Sequence, residues 1–307
     1  MTPTPRRARR AFTLAEIIVA LTILALIGTA LVRLIIVQSR FSEERLALRT
    51  ARTVSRNAMN IMLTDLRMVQ DNGGLIAAAP NSVTVRVPIA FGLLCVAGAA
   101  PTLSLLPADS AMTALGKYSG WAYRDSSTGV YSYKDASSII PFNSMTTAVS
   151  TLCTDSVTGP GILSLTSNGR TTRVVTLADG PAGPGTPNPG WPVFVYQQVT
   201  YKFDSSTAYA GRIGLFRKVK TGVNTSMVDE IIAPFDTSAK FRFYVLNADT
   251  AQSAVPGAPS PLISDLATVR GLQLVLTGAS PRVPQGSSQP RQAGLVTGVF
   301  FKNRRDP

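Results

Sequence analysis

A basic, polar stretch opens the chain and gives way near residue 12 to a long apolar run. From Ile17 to Val32 no residue carries a formal charge, and Ile, Leu, Val and Ala dominate. Continued through Arg33 to Val37, the run is long enough, at about 1.5 Å per residue, to cross a hydrocarbon core of about 30 Å. Arg33 lies near its far end, where a long side chain reaches headgroups. Beyond it, Leu48, Ala51, Val54, Ala58, Met62, Leu66 and Val69 recur every three or four residues, which marks one face of a helix. Arg45, Arg49, Arg52 and Arg56 keep the same rhythm on a face roughly 130° away, open to solvent, acidic lipid or a neighbouring subunit. No proline stands between Pro5 and Pro80, and no glycine between Gly28 and Gly73. The pattern therefore predicts one helix over 12–71, broken at Asn72-Gly73-Gly74. Its first half suits a membrane or the core of an assembly, and its second half suits packing on a globular domain.

After Gly74 the period shortens to two. Alternating or β-branched runs predict strands at 82–87 (ending at Pro88), 91–97, 118–123, 129–133, 172–177, 193–203, 212–219, 240–246, 269–277 and 295–302. The stretch 226–232 reads as a strand or a short helix. Segments 179–192, 254–261 and 279–292 are rich in Pro, Gly and Ser and read as mobile loops. The fold class is thus α+β: a long N-terminal helix packed on a β-rich C-terminal domain. Residues 73–307 form the head, with a possible division into two subdomains near 179–192. Of 307 residues, about 235 remain for that head, enough for a substantial core.

Composition narrows the chemistry. The chain contains no histidine, which removes Ser-His-Asp and Cys-His catalysis, histidine metal sites and the usual proton shuttle. Asp125, Asp135, Asp155 and Asp179 lack calcium-loop spacing, and Gly180-Pro181-Ala182-Gly183-Pro184-Gly185 is interrupted by proline and lacks a lysine-bearing helix. We expect no enzyme, no cofactor and no metal. The net charge of +13 includes leader arginines 6, 7, 9 and 10; without them the chain carries +9. Weak affinity for an anionic ligand, DNA or lipid, follows from charge alone. Cys95 and Cys153 are the two cysteines. In an oxidising compartment they would close a loop of about 58 residues, worth about 4 kcal/mol in the chain-entropy model, or else stay as separate buried thiols.

The junction between the basic leader and the apolar run carries the sharpest signal. Ala11-Phe12-Thr13-Leu14-Ala15-Glu16 puts a small residue, then a carboxylate, at the head of the hydrophobic segment. A secretory signal peptide places its cleavage site after the apolar stretch; here the small residue precedes it. An acidic side chain just inside an apolar helix costs about 1–3 kcal/mol unless paired. This order resembles the class III signal of type IV prepilins and type II secretion pseudopilins, with Ala11 where glycine is usual. The later order of strands, ending in Val299-Phe300-Phe301-Lys302-Asn303-Arg304, is similar to the C-terminal half of large minor pilins, of W type or J type.

That resemblance implies residues 1–11 as a cleaved leader, 12–37 as a transmembrane and filament-core helix, and 38–72 as its amphipathic continuation. It implies cleavage between Ala11 and Phe12 by a prepilin peptidase, N-methylation of Phe12, and pairing of Glu16 with the amine of a neighbouring subunit. Partners would be other pilin or pseudopilin subunits, through their N-terminal helices, and an inner-membrane assembly platform. The protein would begin as a single-pass inner-membrane precursor with its head outside the cytoplasm, then enter a pilus or pseudopilus as a minor subunit that primes or caps it. A subunit of a DNA-uptake pilus, or an anchored binding protein that never polymerises, are the alternatives.

Overall fold

The computed structural model describes residues 13–96, 101–105, 118–125, 129–135, 174–176, 187–220, 226–246, 250–252 and 266–301. Among the described residues, one helix, α1 (Leu14–Leu66), leads into twelve strands: β1 (Leu75–Ala79), β2 (Ser82–Val96), β3 (Thr102–Leu105), β4 (Gly120–Arg124), β5 (Tyr131–Asp135), β6 (Val174–Thr176), β7 (Pro192–Ser205), β8 (Ile213–Lys220), β9 (Ser226–Phe235), β10 (Lys240–Val245), β11 (Val269–Ala279) and β12 (Gln292–Phe300). All described strand pairings are antiparallel and belong to one sheet. Its main path runs β10-β11-β9-β8-β7-β2-β3-β6; β1 borders β2, β12 borders β11, and β4 joins β5 to β7. This is the α+β architecture that the switch from a helical to an alternating period predicts.

The helix ends at Leu66, five residues before its predicted end at 71. There the N–H groups of Met68 and Val69 turn back to the carbonyls of Asp65 and Leu66, which tightens the last turn. Gly74 then passes so close to the helix end that a Cβ would lie 2.1 Å from the Gln70 carbonyl oxygen. The predicted apolar face is the buried one: Ala51, Val54, Ala58, Met62, Leu66 and Val69 are all buried, while Leu48 is half-buried. Val54, Ala58, Met62, Leu66 and Val69, together with Val83, Val85, Val199, Tyr201, Leu215, Phe241, Phe243, Leu272 and Leu274, form the main core. Removing a side chain such as Met62 or Leu66 from water contributes about 1.5–3 kcal/mol each.

Pro88 does not end its strand. The two predicted strands at 82–87 and 91–97 are one, β2, pairing with β7 from Ser82 to Leu93 with a register shift between Pro88 and Ala90. On the other side of β2, β1 reaches only Val85 and β3 begins only at Gly92. Pro88 thus sits at a bulge, in a gap between neighbours, where its missing N–H costs no ladder bond on that side. The segment 226–232 belongs to a strand, β9. Two strands escaped sequence reading, β1 and β3. Leu75-Ile-Ala-Ala-Ala carries helix-favouring alanines and no alternation, so tertiary pairing overrides propensity there.

A second core cluster, built on Trp121, Tyr118, Leu94, Leu103, Leu105, Val193 and Val195, lies further along the same strands. The predicted division near 179–192 falls largely outside the described residues, while β2 and β7 each contribute to both clusters. The loop predicted at 279–292 is partly fastened: Arg291 pairs with Glu44, and the Gln285 N–H donates to Glu43. The loop at 254–261 lies outside the described residues.

Candidate functional site

The first half of α1 carries the chemistry that the motif points to. Thr13 caps the helix: its Oγ1 accepts from the Glu16 N–H at 3.3 Å, and Glu16 Oε2 accepts from the Thr13 N–H at 3.0 Å and from Thr13 Oγ1 at 3.1 Å. This reciprocal arrangement satisfies donors that every helix start leaves unpaired, and it sets the carboxylate against the positive end of the helix dipole. Within a single chain Glu16 therefore already has partners. The use was legible, since Thr13-x-x-Glu16 has the spacing of a capping box, but the sequence reading assigned Glu16 to intermolecular pairing alone. Ala11 and Phe12 lie outside the described residues.

From Leu14 to Val37 the apolar side chains stand in the open. Ile17, Leu21, Leu24, Leu31 and Ile35 are about half exposed or more, and the most apolar 18-residue stretch of the helix is not buried by any of the described residues. A band about 36 Å long, at the rise of an α-helix, is by length and composition able to cross a membrane. So large an apolar surface calls for a covering, either lipid or other helices.

The second half of α1 is held by polar locks as well as by the core. Ser55 is buried and faces the β11–β12 pair. Its Oγ accepts from the Gly278 N–H at 2.9 Å and lies 3.0 Å from the Ala293 carbonyl, to which it donates. Gly278 and Ala293 are opposite one another in the ladder, so the helix contributes a rung to the sheet. Lower down, Asp65 Oδ2 accepts from Tyr201 Oη at 2.6 Å and from Arg217 Nη2 at 3.0 Å. Burial comes first among the causes that push the Tyr201 hydroxyl upward, and the Asp65 charge adds to it, so it stays protonated at ordinary pH.

Past the helix, Arg86 on β2 joins four elements. Its Nη1 donates to the Gly73 carbonyl at 2.6 Å, its Nη2 meets Asp135 Oδ2 at 3.0 Å, and its guanidinium lies 4.7 Å from the Tyr133 ring centre and 5.6 Å from that of Tyr196. Tyr196 donates to Asp135 Oδ1 at 2.7 Å. Burial raises the Asp135 carboxyl, but the hydrogen bonds from Arg86 and Tyr196 outweigh it, and Asp135 titrates below its ordinary value. A depressed native value means that this contribution is complete above about pH 4 and is lost as pH falls through the native value. Asp135→Asn should lower stability at neutral pH by about 1 kcal/mol, discounted because the carboxylate is half exposed. It should also flatten the decline of melting temperature below about pH 4; parallel melting curves for the two proteins between pH 2 and 6 would refute the assignment.

Among the other sequence candidates, Cys95 is buried on β2, whereas Cys153, Asp155 and Asp179 fall outside the described residues. Asp125 stands at a turn, where its main-chain carbonyl accepts the Gly129 N–H at 2.8 Å. Asp125 and Asp135 terminate β4 and β5 at opposite ends of that hairpin, since Gly120 pairs with Asp135 and Arg124 with Tyr131. Arg45, Arg49, Arg52 and Arg56 are all exposed, as the spacing predicts.

Residues 6–32 match the family described as the prokaryotic N-terminal methylation motif. Comparison with the curated proteins and with the solved structures returns no match. The motif and the long apolar helix behind it support a type IV pilin-like or pseudopilin-like protein, a structural subunit rather than an enzyme. They are consistent with membrane anchoring and a place in a pilus, and they point in general terms to other pilins and a prepilin peptidase as partners.

Proposed function

We propose that the chain is a minor pilin or pseudopilin subunit that takes part in assembling a type IV pilus or a type II secretion pseudopilus, by priming it or capping its tip. The observation that carries this is the contrast along one continuous helix: residues 14–37 leave their apolar side chains uncovered, while residues 51–66 are locked to the head. A helix of this kind is fixed at one end and offers the other to lipid first and to neighbouring helices afterwards. The precursor is a single-pass protein of the inner membrane, its head on the extracytoplasmic side. Cleavage between Ala11 and Phe12 frees an amine that becomes methylated, four residues from Glu16. In the filament the Glu16 carboxylate neutralises the amine of an adjoining subunit, and the low dielectric of the helix bundle strengthens that pairing. The partners are other subunits, the peptidase and an inner-membrane assembly platform. A bridge between Cys95 and Cys153 would tie β2 to a later segment of the head, in keeping with an oxidising compartment.

Intact-mass and N-terminal analysis of the native protein tests the processing step. The expected mature chain starts at methylated Phe12. Retention of the arginine-rich leader, or trimming beyond Val37, would sink the proposal.

A further inference from the structure

Among the described residues, β12 pairs with β11 alone, which leaves it an edge strand. The Phe301 N–H donates to the Arg270 carbonyl at 3.0 Å, and this sets the phase of the ladder. Odd-numbered residues of β12 face β11, so the N–H and C=O groups of Gly294, Val296, Gly298 and Phe300 point to the free side. The pairing runs from Gln292 to Phe300 without a register shift, and the strand contains neither charge nor proline. Natural sheets commonly guard such an edge with a lysine, a proline, a bulge or a covering segment. Here Val296 and Phe300 are 58% and 62% exposed, and the space beside Gly294 is open.

The helix supplies a second half to this surface. Asp65 marks the flank of α1 that faces β7 and β8, and Ser55 rests on the β11–β12 pair. At about 100° per residue, Arg45, Arg49, Arg52 and Arg56 lie about 140–180° around the helix from Asp65, on the flank toward the β12 edge. None of the four forms an ion pair with a described residue. Arg52 and Arg56 stand about 23 and 29 Å beyond Val37 along the helix axis, past the reach of headgroup charge when headgroups add about 5–8 Å and the screening length is about 8 Å. A protein segment is therefore a better complement than a headgroup.

We propose that the free edge of β12 and the arginine flank of α1 form one docking site for an extended segment of another protein, with acidic side chains at alternate positions. Main-chain groups of the segment continue the sheet, and its period of two turns every second side chain toward the helix, where carboxylates meet Arg52 and Arg56. The choice of a protein segment over a headgroup rests on the reading of residues 14–37 as a membrane span, whereas the unpaired edge and the arginine flank do not.

The test uses the full chain in detergent at low salt and a fluorescent nonapeptide of alternating Val and Glu, followed by anisotropy. Saturable binding is expected. It should weaken at least tenfold when the glutamates are replaced by lysines, and for one of two versions N-methylated on either the Val or the Glu amides, since only one set can face β12. Val296→Pro removes an outward N–H without touching the bonds to β11 and should have the same effect. Gly294→Lys, which guards the edge at an open position, and the double variant R52E/R56E should each do likewise in chains of unchanged melting temperature. Failure of the parent peptide to bind at millimolar concentration overturns the proposal. Equal binding of both N-methylated versions does so too, since it would reduce the arginines to a generic polyanion surface.

Discussion

Gly278→Val should detach the second half of the helix from the sheet, with a loss of about 3 kcal/mol or more. A Cβ at this position would lie 2.2 Å from the Ala51 carbonyl oxygen and 2.6 Å from Ser55 Oγ. The nearer obstacle is helix backbone, which cannot swing aside as a side-chain tip does. Overpacking of this kind costs about 1–3 kcal/mol, and the separation that relieves it also breaks the bonds that Ser55 makes to Gly278 and Ala293, at about 1 kcal/mol or more. Gly294→Val supplies the control, because a side chain there meets nothing within 4 Å. Thermal unfolding of the full chain, together with protease cleavage between residues 43 and 66, provides the measurement. Equal behaviour of the two variants would show that the close approach of helix and sheet matters little.

Glu16→Ala should cut incorporation into filaments at least tenfold, whereas membrane insertion continues. The capping box makes a finer comparison possible. Glutamine at the same position can still reach back to the Thr13 N–H, so it preserves the cap while deleting the charge. Loss of the cap alone accounts for about 1 kcal/mol of local helix stability at the chain's end. If pairing with a neighbour's amine is what assembly requires, Glu16→Gln fails as badly as Glu16→Ala. If Glu16→Gln assembles normally, the residue acts only on its own helix, and the pairing between subunits is wrong.

Periodicity made the helix and most strands legible, because a buried face repeats at 3.6 residues in one and at 2 in the other. Ala51, Val54, Ala58, Met62 and Leu66 could be assigned to the core from spacing alone. Features that depend on distant partners could not. Arg86 and Asp135 meet only because β5 reaches β7 through β4, and β7 lies beside β2. Pro88 read as a terminator, since nothing local reveals that β1 stops short of it and β3 begins beyond it. Gly278 fell between the predicted strand 269–277 and the loop 279–292, and nothing local marks it as the place where Ala51 and Ser55 come against the sheet. The candidate site divides in the same way. Glu16 and its setting were visible in six consecutive residues, while the edge that β12 leaves unpaired among the described residues exists only once the strands are arranged in a sheet.

Because a hydroxyl from α1 is interposed between Gly278 and Ala293, the β11–β12 pair has its full set of bonds only with the helix in place. A strand near residue 293 thus completes its register against a helix position more than two hundred residues earlier, so the native alignment of the head waits for that helix. A head expressed without residues 38–66 would retain its strands but lack the template on which the last two of them are aligned.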